Sequence, residues 1–214
     1  MDITKWDDTW GTIDWKKNPE DKIKQRIVEL YRAGVDFNMN GWYNSSGGKP
    51  VLYASEYSTT GVIDLLIDGG ADINLPDQSA NRDLALHRAA CSNKVKNVRL
   101  LIERGPRNYI NKQNGFGWTA LHIAAMGGRD RFKVAKALIE LGADVNIKDK
   151  EGKTAWDMAD DKTKNLIENA DKIRAEYLKK YPQGSLQKTL NEASEKGMSL
   201  KSVFVGAFKN KKVK

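Results

Sequence analysis

One seven-residue phrase returns along this chain at a fixed interval. Four segments align on it: KPVLYAS (49–55), LALHRAA (84–90), TALHIAA (119–125) and TAWDMAD (154–160). Their fourth positions are Leu52, His87, His122 and Asp157, each 35 residues after the one before. A second phrase follows each of the first three, as GGADIN (69–74), RGPRNYIN (104–111) and LGADVN (141–146), and an earlier copy, AGVDFN, stands at 33–38. A period of this length describes small supersecondary units that stack and share one continuous core, because a single unit cannot bury its own apolar face.

The residue types between the phrases agree with that reading. Val62, Ile63, Leu65, Leu66 and Ile67, and later Val134, Ala135, Leu138 and Ile139, fall at helical spacing. The pairs Ala89–Ala90 and Ala124–Ala125 let neighbouring helices approach closely. Gly34, Gly70, Gly105 and Gly142 are expected to end the second helix of each unit in a left-handed conformation. Asp72 with Asn74, and Asp144 with Asn146, suit the turn that follows.

The two phrases resemble the ankyrin signature, Thr-Pro-Leu-His-x-Ala-Ala followed by Gly-Ala-Asp-Val-Asn at a period near 33. TALHIAA with LGADVN is a close match, LALHRAA a good one, KPVLYAS a weaker one, and TAWDMAD resembles a degenerate end repeat. The resemblance covers 22–170 and implies an all-α solenoid of about four helix-turn-helix repeats plus a partial first one, with hairpin or loop fingers. In such repeats the histidine makes structural hydrogen bonds near the start of the first helix. His87 and His122, the only histidines, are therefore read as fold residues and not as metal ligands or bases. Short, uneven arrays of this kind resemble bacterial, phage or viral examples more than regular eukaryotic ones.

The repeats are uneven in specific places. The interval from the finger Asn to the next first phrase is 11 residues after Asn38 and 10 after Asn74, against 8 after Asn111 and Asn146. The first two fingers, 39–48 and 75–83, are therefore long. Extra residues also follow Gly105, and others fall between the helices of the third repeat at MGGRDRF (126–132). Long fingers carrying aromatic and arginine side chains are where a partner protein is expected to dock, since Trp, Tyr and Arg dominate interface energies. The expected contact residues are Trp42 and Tyr43 in the first finger, Arg82 in the second, Phe116 and Trp118 in the third, and Tyr57 and Arg88 on first helices. The competing reading for the aromatics is finger-on-finger packing.

Both ends need caps. Residues 1–21 form a Trp-rich segment in which Ile3, Trp6, Trp10 and Ile13 make one helical face. It is read as a cap packed around Ile23, Ile27 and Leu30, with an exposed docking peptide as the alternative. A helix is expected over 165–181, followed by a break at PQGS (182–185). Charge is concentrated beyond the repeats: residues 1–170 hold 25 Lys and Arg against 24 Asp and Glu, while 171–214 hold 11 against 4. In that basic extension Leu200, Val203, Phe204, Ala207 and Phe208 form a short amphipathic stripe ending in Lys209, Lys211, Lys212 and Lys214. Three uses compete for it: folding back on the stack, docking into a partner, and touching nucleic acid or an anionic membrane.

No catalytic arrangement, phosphate-cradling loop or zinc spacing is present, and Cys91 is the single cysteine. The function expected is therefore a non-enzymatic protein-interaction module without cofactor or metal, inhibiting or sequestering its partner. An adaptor for nucleic acid or membrane acting through Phe204, Phe208, Lys209, Lys211 and Lys212 is the alternative. The acidic start, MDITKWDDTW, lacks the pattern of a Sec signal. The expected location is the cytoplasm, or a host cell reached by a route without such a signal.

Overall fold

In a computed structural model, residues 15–38, 49–106 and 108–181 are described. Trp42, Tyr43, the stripe from Leu200 to Phe208 and the terminal lysines lie outside them, as do Ile3, Trp6, Trp10 and Ile13 of the expected cap. The described residues fall into two units, one ending at Ala170 and one beginning at Asp171.

The first unit is a two-row stack of helices. One row consists of α2 (Pro50–Tyr57), α4 (Ala85–Cys91) and α6 (Ala120–Met126). The other consists of α1 (Glu20–Arg32), α3 (Thr60–Asp68), α5 (Val95–Arg104), α7 (Gly128–Glu140) and α8 (Asp161–Glu168). Along the first row α4 packs on both α2 and α6. Across the rows α2 pairs with α3, α4 with α5 and α6 with α7. Among the described residues there is no strand, so the described fingers are loops.

Small residues make the close row possible. Ala54, Ala89, Ala90, Ala120, Ala124 and Ala125 are buried, and the outer helices cover them with Val62, Ile63, Leu66, Val98, Leu101, Val134 and Leu138. A buried side chain of that outer set contributes about 1.5–3 kcal/mol through apolar area removed from water. Pro50 opens α2 at a position where its missing N–H costs nothing. Asn97, itself buried, donates its amide to the carbonyls of Ser55 (3.1 Å) and Ser58 (3.0 Å), satisfying the end of α2 from the next repeat.

The histidines do what the resemblance implied. His87 Nδ1 accepts the Leu84 N–H at 3.1 Å, and His122 Nδ1 accepts the Thr119 N–H at 3.1 Å. That fixes the neutral tautomer with the proton on Nε2, which faces backbone carbonyls of the following finger: Lys112 (3.1 Å) and Trp118 (3.0 Å) for His87, Lys153 (3.2 Å) for His122. Burial pushes both imidazoles below their ordinary pKa. At the fourth position of the last copy, Asp157 accepts the Thr154 N–H at 2.7 Å in the same way. There the first-phrase segment is a turn, not a helix, as suits a degenerate repeat.

Three sequence expectations are corrected. Gly34, Gly70 and Gly142 have φ of 76°, 96° and 95°, as a left-handed helix end requires, but Gly105 has φ −79° and ψ 160°. Gly105 is needed for space instead: a Cβ there would meet the Tyr109 ring at 2.6 Å. The extra residues after it turn at Asn108 (φ 68°) and drive Tyr109 into the core, where its hydroxyl donates to Ile73 O at 2.8 Å. The extra residues between the helices of the third repeat lengthen α7 to 13 residues, against 9 in α3 and 10 in α5, and do not form a loop. Finally, the helix expected over 165–181 is two helices, α8 ending at Glu168 and α9 running Ala170–Lys180.

At the start of the described chain, Trp15 is buried, as are Ile23, Ile27 and Leu30 on α1. In the second unit, the rings of Tyr177 and Tyr181 lie 5.0 Å apart, with Lys180 over Tyr181.

Candidate functional site

The second finger is organised around one buried carboxylate. Asp77 Oδ1 accepts from Ser79 N (3.2 Å), Ser79 Oγ (2.7 Å) and Asp83 N (3.1 Å), and the Asp77 N–H donates to Asp83 O at 2.9 Å. The loop 77–83 is thereby closed on itself. Its last turn places Arg82 at φ 49°, a conformation that costs a side-chain-bearing residue about 1–2 kcal/mol.

Arg88 is bound into the same cluster. It donates to Asp77 Oδ2 at 2.6 Å and to Glu56 Oε2 at 3.3 Å, with Asp83 at 3.7 Å. Its side chain remains 30% exposed. Tyr57 stands beside this cluster, its phenol pushed up to about 12 chiefly by its hydrogen bond to Glu56. It stacks on Tyr53 with ring centroids 6.4 Å apart, and Lys16 lies 4.5 Å over its ring. Tyr57 and Arg88 are thus brought together through Glu56.

Phe116 and Trp118 form a second group at the third finger. Their rings sit 4.8 Å apart at 35°. The buried Asn114 shapes the turn that presents them: its Oδ1 accepts from Phe116 N (2.9 Å) and Trp118 N (3.0 Å), while its Nδ2 donates to Asp83 at 2.8 Å. The Trp118 indole donates to Asp149 at 3.1 Å in the next finger. Burial would raise the Asp149 carboxyl, but the Lys153 N–H, the Trp118 indole and the Glu151 N–H together hold it below its ordinary value. Trp118 is half-buried and anchored, whereas Phe116 is 41% exposed.

Fingers two and three touch at Gly115. Its N–H donates to Asn81 O at 2.6 Å, and a Cβ there would run into the backbone carbonyls of Ala80 and Asn81. Arg82 lines a cavity of about 220 Å³ between these fingers, away from both aromatic groups in its contacts. Three further groups were missed in reading the sequence. These are the buried carboxylate at Asp77, the finger-bridging Asn114 and Arg131, whose guanidinium joins the carbonyls of Cys91 (2.9 Å) and Ile123 (3.1 Å) at the ends of α4 and α6. Asp-x-Ser within a long finger was the available signal for the first, since such a loop favours a side-chain-closed turn.

Among the described residues no three metal-ligating side chains converge. None of their helices is long and apolar enough to cross a membrane.

The comparisons with known proteins agree with the geometry. The family model for ankyrin repeats in three copies matches residues 21–111, 51–149 and 106–172. The chain is 34% identical over 110 residues to the E3 ubiquitin-protein ligase KEG of Arabidopsis thaliana, covering 51% of this chain and 6% of that one. It is 37% identical over 84 residues to protein phosphatase 1 regulatory subunit 27 of Mus musculus (39% and 52%). It is 31% identical over 134 residues to the putative ankyrin repeat protein FPV031 of fowlpox virus (61% and 38%). The matched part therefore spans about half or less of these relatives. Ankyrin repeats are generic protein–protein interaction modules. With the period, the histidine bonding, the two helical rows and a family match across 21–172, the chain belongs to the ankyrin-repeat family.

Proposed function

We propose that this protein is a non-enzymatic binding module that grips one partner protein through its finger tips and the row of α2, α4 and α6. The observation that carries the reading is the Phe116–Trp118 pair. One ring is anchored by a hydrogen bond to Asp149 while the other is left 41% exposed on it, so an apolar surface is held rigid before any partner arrives. Pre-ordered aromatics lose little conformational freedom on binding. Tyr57 and Arg88 extend the surface along the helical row, and Trp42 and Tyr43, which lie outside the described residues, are assigned to the same partner by residue type. Residues 1–21, 22–170 and 171–214 act as cap, array and basic extension. Binding of this kind inhibits or sequesters the partner, in a reducing compartment such as the cytoplasm that suits a single cysteine.

A second reading is favoured by the charge distribution, with 11 basic against 4 acidic residues in 171–214. In it, the tail holds nucleic acid or an anionic membrane. Capture from nuclease-treated lysate of the source cell, with the full chain and with 1–181, separates the two. A stoichiometric protein retained by both, and lost with Phe116→Ala, supports the module. Capture that disappears with the truncation, and falls steeply with salt, overturns it in favour of the tail.

A further inference from the structure

The cavity between fingers two and three combines two features. Pro76 and the buried Leu84 give it an apolar floor, and Arg82 and Lys112 both line it. No carboxylate lines it. Among the described residues neither of these two cationic side chains carries an ion pair or hydrogen bond. Four other arginines of the array are committed, Arg88 to Asp77 and Glu56, Arg99 to Glu140, Arg104 to Asp68, and Arg131 to backbone carbonyls, while Arg32 and Arg129, like Arg82, carry no such bond among the described residues but do not line this cavity.

The amides of the wall are committed too. Gln113 donates to Gly117 O and Lys148 O, Asn114 to Asp83, and Asn74 to Asp72 at 3.1 Å. Arg82 and Lys112 are therefore the charged donors left for a guest. The nearby carboxylates Asp77, Asp83 and Glu56 face Arg88 instead, and Lys49 adds a further positive charge near Asp77. Arg82 also holds its place at φ 49°, where Gly, Asn or Asp would be less strained.

The geometry points to this cavity as the seat of an anionic side chain, carboxylate or phosphate, borne by a segment of the partner protein that lies across fingers two and three. A short apolar stem would cover Pro76 and Leu84, and the charged end would sit between the exposed side chains of Arg82 and Lys112, where it would accept charge-assisted hydrogen bonds from both. This rests on the binding-module reading and names the chemistry its partner must carry.

The test is a titration of the ¹⁵N-labelled full chain with three capped tripeptides, Gly-Glu-Gly, Gly-phosphoserine-Gly and Gly-Gln-Gly. Saturable shifts centred on Arg82, Lys112 and Gln113 are expected with an anionic peptide and not with the glutamine one. A response to glutamate assigns the carboxylate source, and a response to phosphoserine alone assigns the phosphate. Arg82→Gly and Lys112→Ala should each weaken binding about tenfold. Arg82→Gly should leave the melting temperature level or raised, because glycine accepts the positive φ. Equal responses to the glutamate and glutamine peptides, or unchanged binding in Arg82→Gly, overturns the proposal. Partner capture with the Arg82→Gly, Lys112→Ala double variant keeps the two readings apart. Capture that persists while the peptides fail sinks the pocket and leaves the module, whereas capture of no protein by the unsubstituted chain sinks the module and the pocket with it.

Discussion

Arg88, on the helix α4, reaches back 11 residues to donate to the buried carboxylate of Asp77 at 2.6 Å. The bond ties the second finger to the helical row, so a residue on the expected binding surface also holds the surface in shape. The two partners are not equal. Asp77 is 3% exposed and also closes its own loop, while Arg88 is half-buried and partly wetted. Asp77→Ala should cost about 3 kcal/mol, because it leaves two N–H groups and the Ser79 hydroxyl unmatched and removes the shortest of the Arg88 ion pairs. Arg88→Ala should cost about 1 kcal/mol, after discounting for solvent screening. Urea denaturation of both variants and the double variant checks this. Additive losses would show that the pair does not act as a unit.

Phe116 is the cleaner probe of binding. Its ring is exposed and its structural duty is light, so Phe116→Ala should shift the melting temperature by no more than about 2 °C. Affinity for the partner should fall tenfold or more. Differential scanning calorimetry and titration calorimetry on one preparation give both values, and losses of stability and affinity in step would identify the ring as packing alone. Trp118→Ala should lose both, because its indole bond to Asp149 goes with the ring.

Acid should loosen the array through its histidines. Both imidazoles are buried neutral, with pKa values lowered from the ordinary 6.5 by burial. The unfolded chain then takes up protons first as pH falls, so their contribution is whole above about pH 6.5 and is lost progressively below it. Melting temperatures from pH 7.5 to 5 should therefore decline, and His122→Asn should flatten the decline while lowering stability throughout. A wild-type melting temperature unchanged across that range would contradict neutral, buried histidines.

Asn97 joins repeats without touching the binding surface. Asn97→Ala should cost about 2–3 kcal/mol by leaving the carbonyls of Ser55 and Ser58 buried and unpaired. Equilibrium unfolding measures the loss, and hydrogen exchange at the C-terminal end of α2 should rise with it.

The stacking of helices was legible in the sequence because it rests on period, and period is a property of residue order. His87, His122 and the Asp–Asn turns could be read for the same reason: each recurs and makes a bond within three residues, as in Asn74 N to Asp72 at 2.8 Å and Asn146 N to Asp144 at 2.9 Å. Departures from the period were visible as extra residues, but their shape was not. The two after Gly105 serve to bury Tyr109, and those before Val134 extend a helix. At the site, residue types pointed to Phe116, Trp118, Tyr57 and Arg88, yet they gave no sign that Arg88 is half engaged in holding a finger. That division depends on how the finger folds Asp77 and Asp83 back onto α4 and on Glu56 arriving from the preceding repeat.

Asp157 bears on how long such an array can grow. An imidazole at this position has two faces: one nitrogen accepts from its own repeat and the other donates forward, as His122 does to Lys153 O. A carboxylate has only acceptors. Asp157 can secure the turn behind it through Thr154 but has no proton to hand to a following finger. The relay of repeat to repeat thus stops by valence at residue 157, and a further copy grafted after it would have to find a different means of attachment.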